Sequence, residues 1–231
     1  MPQTELAIVI PTLDEARNLP DLLKTLRKLF PEASVVVVDA GSSDGTADLA
    51  ERSGANVVLR DQPRSRGGQL RAGAAAVDPA WFLFLHADTR LDADAARASA
   101  DYMRRPDATM AMFQVRFDHA SGLLRFSAWC TRFDSVFTRF GDQGILISRS
   151  TYDRLGGFKN WPLFEDVDLG RRARRIRPID ILPASVLTSS RRFRRHGVWR
   201  QQWRNTVLLL RFLLGADPRK LVRNYPPAAD L

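Results

Sequence analysis

A chain of 231 residues with 45% hydrophobic content can bury one full core, in one domain or one domain plus an appendage. Its single cysteine, Cys130, excludes an intramolecular disulfide framework and fits a reducing, cytoplasmic setting, where it reads as packing and not as a nucleophile. The net charge of +9 is mostly arginine, 31 Arg against 4 Lys, densest at Arg171–Arg177 and Arg191–Arg195; nucleic acid, anionic lipid and phosphorylated substrates suit such a surface, and so do plain solvated helix faces.

The opening Met1-Pro-Gln-Thr-Glu5 shows no charged region followed by an apolar core, so no signal peptide is expected. Leu6–Thr12 is an apolar strand that runs into Asp14 and Glu15. Glu15 to Phe30 carries Leu19, Leu22, Leu23, Leu26, Leu29 and Phe30 at helical spacing and stops at Pro31. Val35–Val38 is a second strand delivering Asp39, followed by a glycine-flanked turn and a helix from about Asp44 to Ser53. Asn56–Arg60 reads as a short strand, Asp61–Gly68 as a loop, and Gln69–Ala76 as a helix. Five apolar residues, Trp81–Leu85, form a buried parallel strand that ends abruptly in His86-Ala87-Asp88, and a helix then runs from Leu91 to about Arg105. This alternation predicts a mostly parallel α/β sheet flanked by helices, with strand ends converging on one crevice.

Beyond residue 108 the pattern changes. A strand is expected over Thr109–Phe117, an aromatic-rich helical segment over Leu123–Phe140, a strand over Gly144–Ser148, and a helix over Asp166–Arg175. After Pro183 the chain reads as basic amphipathic helical segments, with Trp199, Trp203, Val207, Leu210 and Leu214 on one stripe. The apolar run Val207–Leu214 is broken by Arg211 and falls well short of the roughly 20 residues of a membrane span. The expected organisation is one α/β domain over 1–190 with an amphipathic appendage over 191–231.

Four constellations carry chemistry. Asp39-Ala-Gly-Ser-Ser-Asp-Gly-Thr46 is a tight turn after a strand, with small residues that let a nucleotide approach; Asp39 and Ser42 are the candidate contacts, and Ser43 or Asp44 caps the next helix. Asp88 is placed to hold a hard cation, Mg²⁺ or Mn²⁺, whose shell phosphates complete. His86 beside it reads as a core histidine or as a further ligand. Asp92-x-Asp94 matches the Asp-x-Asp pattern literally, yet it opens a helix, where acids cap and complement the dipole. Glu165 and Asp166, preceded by apolar bulk, suit a general base in a partly dry pocket. Arg66 and Arg71, in the run Arg64–Arg71, suit phosphate contacts. Asp142, Gln143 and Trp161 are the candidates for the acceptor side.

Together, Ile10-Pro-Thr-Leu-Asp-Glu15, Val38–Thr46, His86-Ala-Asp88, Gly141-Asp-Gln-Gly144 and Phe164-Glu-Asp166 resemble the inverting glycosyltransferases of family 2, which have the GT-A fold. The Gly-Asp-Gln-Gly and Phe-Glu-Asp pieces look most like a small bacterial subgroup linked to arsenosugar biosynthesis. The resemblance implies that Pro11, Thr12, Glu15 and Asp39 cradle the base and ribose of a UDP- or GDP-sugar. It also implies that Asp88 holds the metal and that Asp166 deprotonates the hydroxyl of a small-molecule or lipid-linked acceptor. His86 stands where the family usually has Asp. Two other readings remain: a sugar-phosphate nucleotidyltransferase, whose Gly-rich loop is replaced here by Pro11–Ala16, and a basic nucleic-acid-binding protein, for which no recognition motif appears. No nucleic acid is expected, and the tail is open to a peripheral membrane contact, a homodimer or core packing.

Overall fold

The computed structural model describes residues 5–119 and 121–225; the expectations for Met1–Thr4 and for the end of the appendage lie outside them. Seven strands form one sheet in the order β3-β2-β1-β4-β6-β5-β7. β1 (Leu6–Thr12), β2 (Ser34–Asp39), β3 (Val57–Leu59) and β4 (Trp81–Phe84) pair in parallel. β6 (Ile145–Ser148) is antiparallel to both β4 and β5 (Met110–Phe117), and β7 (Asp180–Thr188) pairs in parallel with β5.

Alternation along β1 sorts its side chains to two cores. Leu6, Ile8 and Ile10 meet Leu19, Leu22, Leu23 and Leu26 of α1 (Leu19–Leu29) on one face, while Ala7 and Val9 meet Leu70 and Ala74 of α3 (Arg66–Ala75) on the other. Each leucine of α1 that leaves water contributes about 2 kcal/mol. Pro11 is tolerated in a central strand because of register. Val9 accepts from Leu85 N–H at 3.1 Å, so Pro11, two residues on, faces the same neighbour after the β4 ladder has ended.

Three expected boundaries move for physical reasons. α1 starts at Leu19 because the N–H groups of Glu15 and Ala16 are bonded to Thr46 Oγ1 and Asp44, each at 2.9 Å, instead of entering a helix. The helical reading of Leu123–Phe140 stops at Cys130, the end of α5 (Gly122–Cys130); Thr131 and Thr138 turn their hydroxyls onto the carbonyls of Ala128 and Phe133, both at 2.6 Å, and compete with the helical ladder. The third is β7, which the sequence reading gave to amphipathic segments after Pro183. It is an edge strand, where a proline costs little, and its pairing with β5 shifts register between Met112 and Gln114.

α2 (Thr46–Arg52), α4 (Ala93–Met103), α6 (Arg149–Arg154) and α7 (Glu165–Arg174) complete the layers. Beyond the sheet come α8 (Arg191–His196), α9 (Val198–Leu213) and α10 (Pro218–Leu221). Leu208, Leu209, Phe212 and Leu221 pack on Leu163, Phe164 and Val167, so these helices form a third core against the start of α7. None of the described helices is long and apolar enough to cross a membrane.

Candidate active site

The carboxyl ends of β1 and β2 carry one hydrogen-bonded cluster. Asp39 is buried; one carboxylate oxygen accepts from the N–H groups of Gly41 and Ser42 at 3.0 and 2.8 Å, the other from Thr12 Oγ1 and Ser42 Oγ at 3.1 and 2.5 Å. Ser42 Oγ in turn accepts from Asp14 N–H at 2.8 Å, and Asp14, held in the left-handed region at φ 52°, accepts from Ser43 N–H at 2.8 Å. Burial alone would raise the Asp44 carboxyl, but donation from Thr46 Oγ1 and from the N–H groups of Ala16 and Thr46 outweighs it and holds the group low. Gly45, at φ 82°, occupies the position before α2, and of the two capping candidates Asp44 accepts from the first N–H of that helix, Thr46, at 3.0 Å. Glu15 accepts from Asn18 Nδ2 at 2.6 Å and lies 3.7 Å from Arg191 of α8.

α3 ties this cluster to the acids of the second half. Gln69, buried, donates to the carbonyls of Thr12 and Val38 at 2.9 and 2.7 Å, gripping the tips of β1 and β2. One turn earlier Arg66 pairs with Glu165 and reaches within 3.9 Å of Asp166. The helix approaches that closely because Gly67 has no side chain: a Cβ there would lie 2.0 Å from the Lys159 carbonyl, and its N–H donates to the Trp161 carbonyl at 3.0 Å. Arg71 does not join Arg66. It lies on an exposed face of α3, and its charge acts on Tyr152.

Around the start of α7, Asp166 accepts from Gly141 N–H at 2.5 Å, and a Cβ on Gly141 would sit 3.0 Å from Asp166 Oδ2 and 3.3 Å from His86 Nε2. The strand-end His86, the turn Gly141–Gln143 and the base candidate therefore meet at one point. Asp142 joins them: burial first, then the charges of Asp166 and Asp88, push its carboxyl up to about 6, although Arg66 opposes them. Its Oδ1 has no partner among the described residues. Glu165 is fully buried and likewise pushed up to about 6 by burial, with Arg66 pulling the other way; its Oε2 has no partner among the described residues. Glu165 thus holds Arg66 in place, and Asp166, buried but less completely than Glu165, is the acid of the pair that meets Gly141.

The other acceptor-side candidates divide. Gln143 is buried, donating to the Thr138 carbonyl at 2.5 Å and accepting from Arg139 at 2.7 Å, so it props the turn and does not face the crevice. Trp161 is half-buried, with Lys159 Nζ 4.5 Å over its ring and Phe212 of α9 edge-on at 6.0 Å. Asp92 caps α4 through Ala95 N–H at 3.0 Å, and Asp94 pairs with Arg97 on the surface, as their helix-opening position implied.

Sequence reading missed two supports. Arg139 is buried and donates to the carbonyls of Phe113 (2.9 Å) and Thr131 and to Gln143, pinning the turn that carries Gly141 and Asp142; burial pushes its guanidinium down to about 10. Phe164 sits at φ 62°, a costly conformation for a bulky residue, and its ring stacks on Phe212 at 4.9 Å. That contact between distant segments aims the acids that follow it, and no local pattern signals it.

Among the described residues no three His, Cys, Asp or Glu side chains form a cage for a metal ion. A Mg²⁺- or Mn²⁺-type cation needs only one or two carboxylates when phosphate oxygens and water complete its shell. The unpartnered Asp142 Oδ1, in a group of like charges with Asp88 and Asp166, fits such an ion.

An open α/β sheet with acids gathered at its carboxyl edge has the arrangement in which such folds bind ligands. The family model "Glycosyl transferase family 2" matches residues 7–158, more than half of the chain, and the protein belongs to that family of transferases. It is similar to protein RfbJ of Shigella flexneri, 27% identical over 108 residues, covering 46% of this chain and 82% of that one. It also resembles the undecaprenyl-phosphate mannosyltransferase of Micrococcus luteus, 40% identical over 70 residues but covering only 28% of this chain and 29% of that protein. The fold matches the mannosyltransferase PcManGT from Pyrobaculum calidifontis, solved with GDP-Man and Mn²⁺, at a TM-score of 0.69 with 15% identity, covering 96% of this chain and 68% of the other. That likeness establishes a GT-A-type fold.

Proposed function

We propose that the protein moves a sugar from a UDP- or GDP-sugar to an acceptor hydroxyl with inversion, assisted by a divalent cation. The observation that carries this reading is the cluster of Asp88, Asp142 and Asp166, whose like charges and unpartnered Asp142 Oδ1 call for a cation or a reacting proton. In this reading Asp166 takes the acceptor proton while Gly141 N–H fixes its orientation through Oδ2. Arg66, whose charged form is held by Glu165 and Asp166 against the cost of burial, faces the departing diphosphate. Thr12, Glu15, Asp39 and Ser42 shape the nucleoside end, with Pro11 beneath it. A bound Mg²⁺ or Mn²⁺, held by Asp88 with Asp142 near, supplies positive charge against the leaving phosphates.

A nucleic-acid-binding role is not favoured. Arg172, Arg174 and Arg177 of one basic run are paired with Asp168, Asp134, Asp107 and Asp180, and Arg191 and Arg194 of the other with Glu15 and Asp118, so much of that charge is engaged within the protein. The acceptor is proposed as a small molecule or a lipid-linked hydroxyl; the resemblance to the arsenosugar-linked subgroup and the likeness to an undecaprenyl-phosphate mannosyltransferase suggest one class of each to try.

The test is calorimetric titration of UDP and GDP with and without Mn²⁺, on the native protein and on Asp88→Ala, followed by the anomeric configuration of the product. Metal-dependent nucleotide binding that Asp88→Ala loses, and an inverted product, are expected. Nucleotide binding indifferent to Mn²⁺ and to Asp88, or a retained configuration, overturns the reading.

A further inference from the structure

The stripe Trp199, Trp203, Val207, Leu210 and Leu214 is the apolar side of α9 in the sequence, yet it is not the side that packs. α9 buries Gln201, Leu208, Leu209 and Phe212, and at 100° per residue the stripe lies on the opposite side of the helix. Trp199, Trp203 and Leu214 are 78%, 72% and 87% exposed. Beside α9 runs α5, and on it and the turns that follow stands a second aromatic group. Phe126, Trp129, Phe133 and Phe137 are all more than half or half exposed, and their neighbouring rings lie against one another, Phe126 to Trp129 at 6.1 Å and Trp129 to Phe133 at 5.2 Å. Single exposed apolar residues need no explanation, but two groups of Trp, Phe and Leu on or just after helices in contact with each other do.

The charge around them identifies the occupant. From Arg191 to Ala216 the chain has seven arginines and no Asp or Glu. Arg200, Arg204 and Arg211 flank the stripe on one side of α9, and Arg125 and Arg132 are exposed beside the α5 rings. The only acid from Ser121 to Phe140 is Asp134, already held by Arg174 at 2.6 Å. We infer that α9 and the α5 segment form one face that rests on an anionic lipid bilayer, with the Trp and Leu side chains in the acyl boundary and the arginines at the head-group phosphates. A second copy of the chain fits less well, because pairing this face with itself sets arginines against arginines in a protein of net charge +9. A nucleic acid would meet the arginines but leave Leu210 and Leu214 in water. The inner side of the same helix packs on Leu163, Phe164 and Val167, around the Glu165–Asp166 pair, so docking sets α9 between the acid pair and the lipid surface.

The experiment is flotation of the intact protein with vesicles of phosphatidylglycerol and phosphatidylcholine, against phosphatidylcholine alone, at low and high salt. Binding to the anionic vesicles, weakened by salt and accompanied by a blue shift of tryptophan emission, is expected. The double variant Trp199→Ser/Trp203→Ser should lower vesicle affinity at least tenfold, and Arg200→Gln and Arg211→Gln about fivefold each. All four substitutions are at exposed positions and should leave the circular dichroism spectrum and nucleotide binding unchanged. No flotation, or flotation indifferent to these substitutions, overturns the inference. So does a concentration-dependent dimer or an oligonucleotide complex that the tryptophan variant abolishes while vesicle binding persists. Flotation needs neither donor nor acceptor, so its failure and a failure of the transferase reading are separate results.

Discussion

Asp39 and Asp142 stand at the same edge of the sheet under opposite conditions. Asp39 accepts four hydrogen bonds, from two backbone N–H groups and two hydroxyls, and every donor comes from the tip of β1 or the turn after β2. Asp142 has an oxygen with no partner among the described residues, lies in the fields of Asp166 and Asp88, and has its carboxyl pushed up to about 6 by burial and those charges. A carboxylate whose lone pairs are all engaged is stable, directional scaffold, suited to presenting a fixed outline to a base and ribose. A carboxylate left short of donors holds free energy that a cation, a proton or a substrate hydroxyl can release. The first half of the chain thus offers a finished surface, and the second half an unfinished one.

The sharpest way to break this contrast is Asp166→Asn. Turnover is expected to fall by about 10³-fold, within the usual range for loss of a general base, while nucleotide affinity changes little; a variant with near-native kcat would move the base elsewhere. Next comes Arg139→Met, which strips the carbonyls of Phe113 and Thr131 and the Gln143 amide of their buried donor. A loss of about 3 kcal/mol in denaturant unfolding is expected, together with reduced turnover as the Gly141–Gln143 turn loosens. Unchanged stability would mean that the turn holds itself.

Glu165→Gln tests the charge conditions directly. The folded-state pKa of Glu165 is raised from 4.5 to about 6, so the folded protein binds that proton more tightly than the unfolded chain. Its contribution is complete below pH 4.5 and is lost as pH rises through about 6. The variant, neutral at every pH, should match the native protein near pH 4 and exceed it by about 2 kcal/mol at pH 8 in urea melts. A difference independent of pH would show that Arg66 already compensates the buried charge. The smallest effect belongs to Asp94→Ala, whose surface pair with Arg97 should contribute under about 0.5 kcal/mol and leave Mn²⁺-dependent nucleotide binding intact. A lost metal response there would exchange the roles assigned to Asp88 and Asp94.

The parallel half was readable because its signals are local. Apolar runs ending in Asp39 and Asp88 mark buried strands, since a run of that length with an acid at its tip has few other places to go. The helix-opening reading of Asp92 and Asp94 held for the same reason, capping being a matter of three or four neighbouring residues. Legibility fell where side chains answer to distant partners. Gln143 reads from sequence as an acceptor-side residue, but Arg139 turns it inward. Arg66 and Arg71 looked alike in one arginine run, yet one meets Glu165 and the other an exposed face. β7 carries a proline and reads poorly as a strand until its place at the sheet edge is known.

By itself the sequence determined the α/β class, the strand ends that carry acids, and the family resemblance, because hydrophobic period and strand-tip chemistry are written within a few residues. Only the tertiary structure decided which acids are satisfied and which are not. It also decided that Phe212 props Phe164 ahead of the acid pair, and that the tryptophans of α9 face outward. Those outcomes depend on packing between segments far apart in the chain, where the environment of a side chain, and not its identity, sets what it can do.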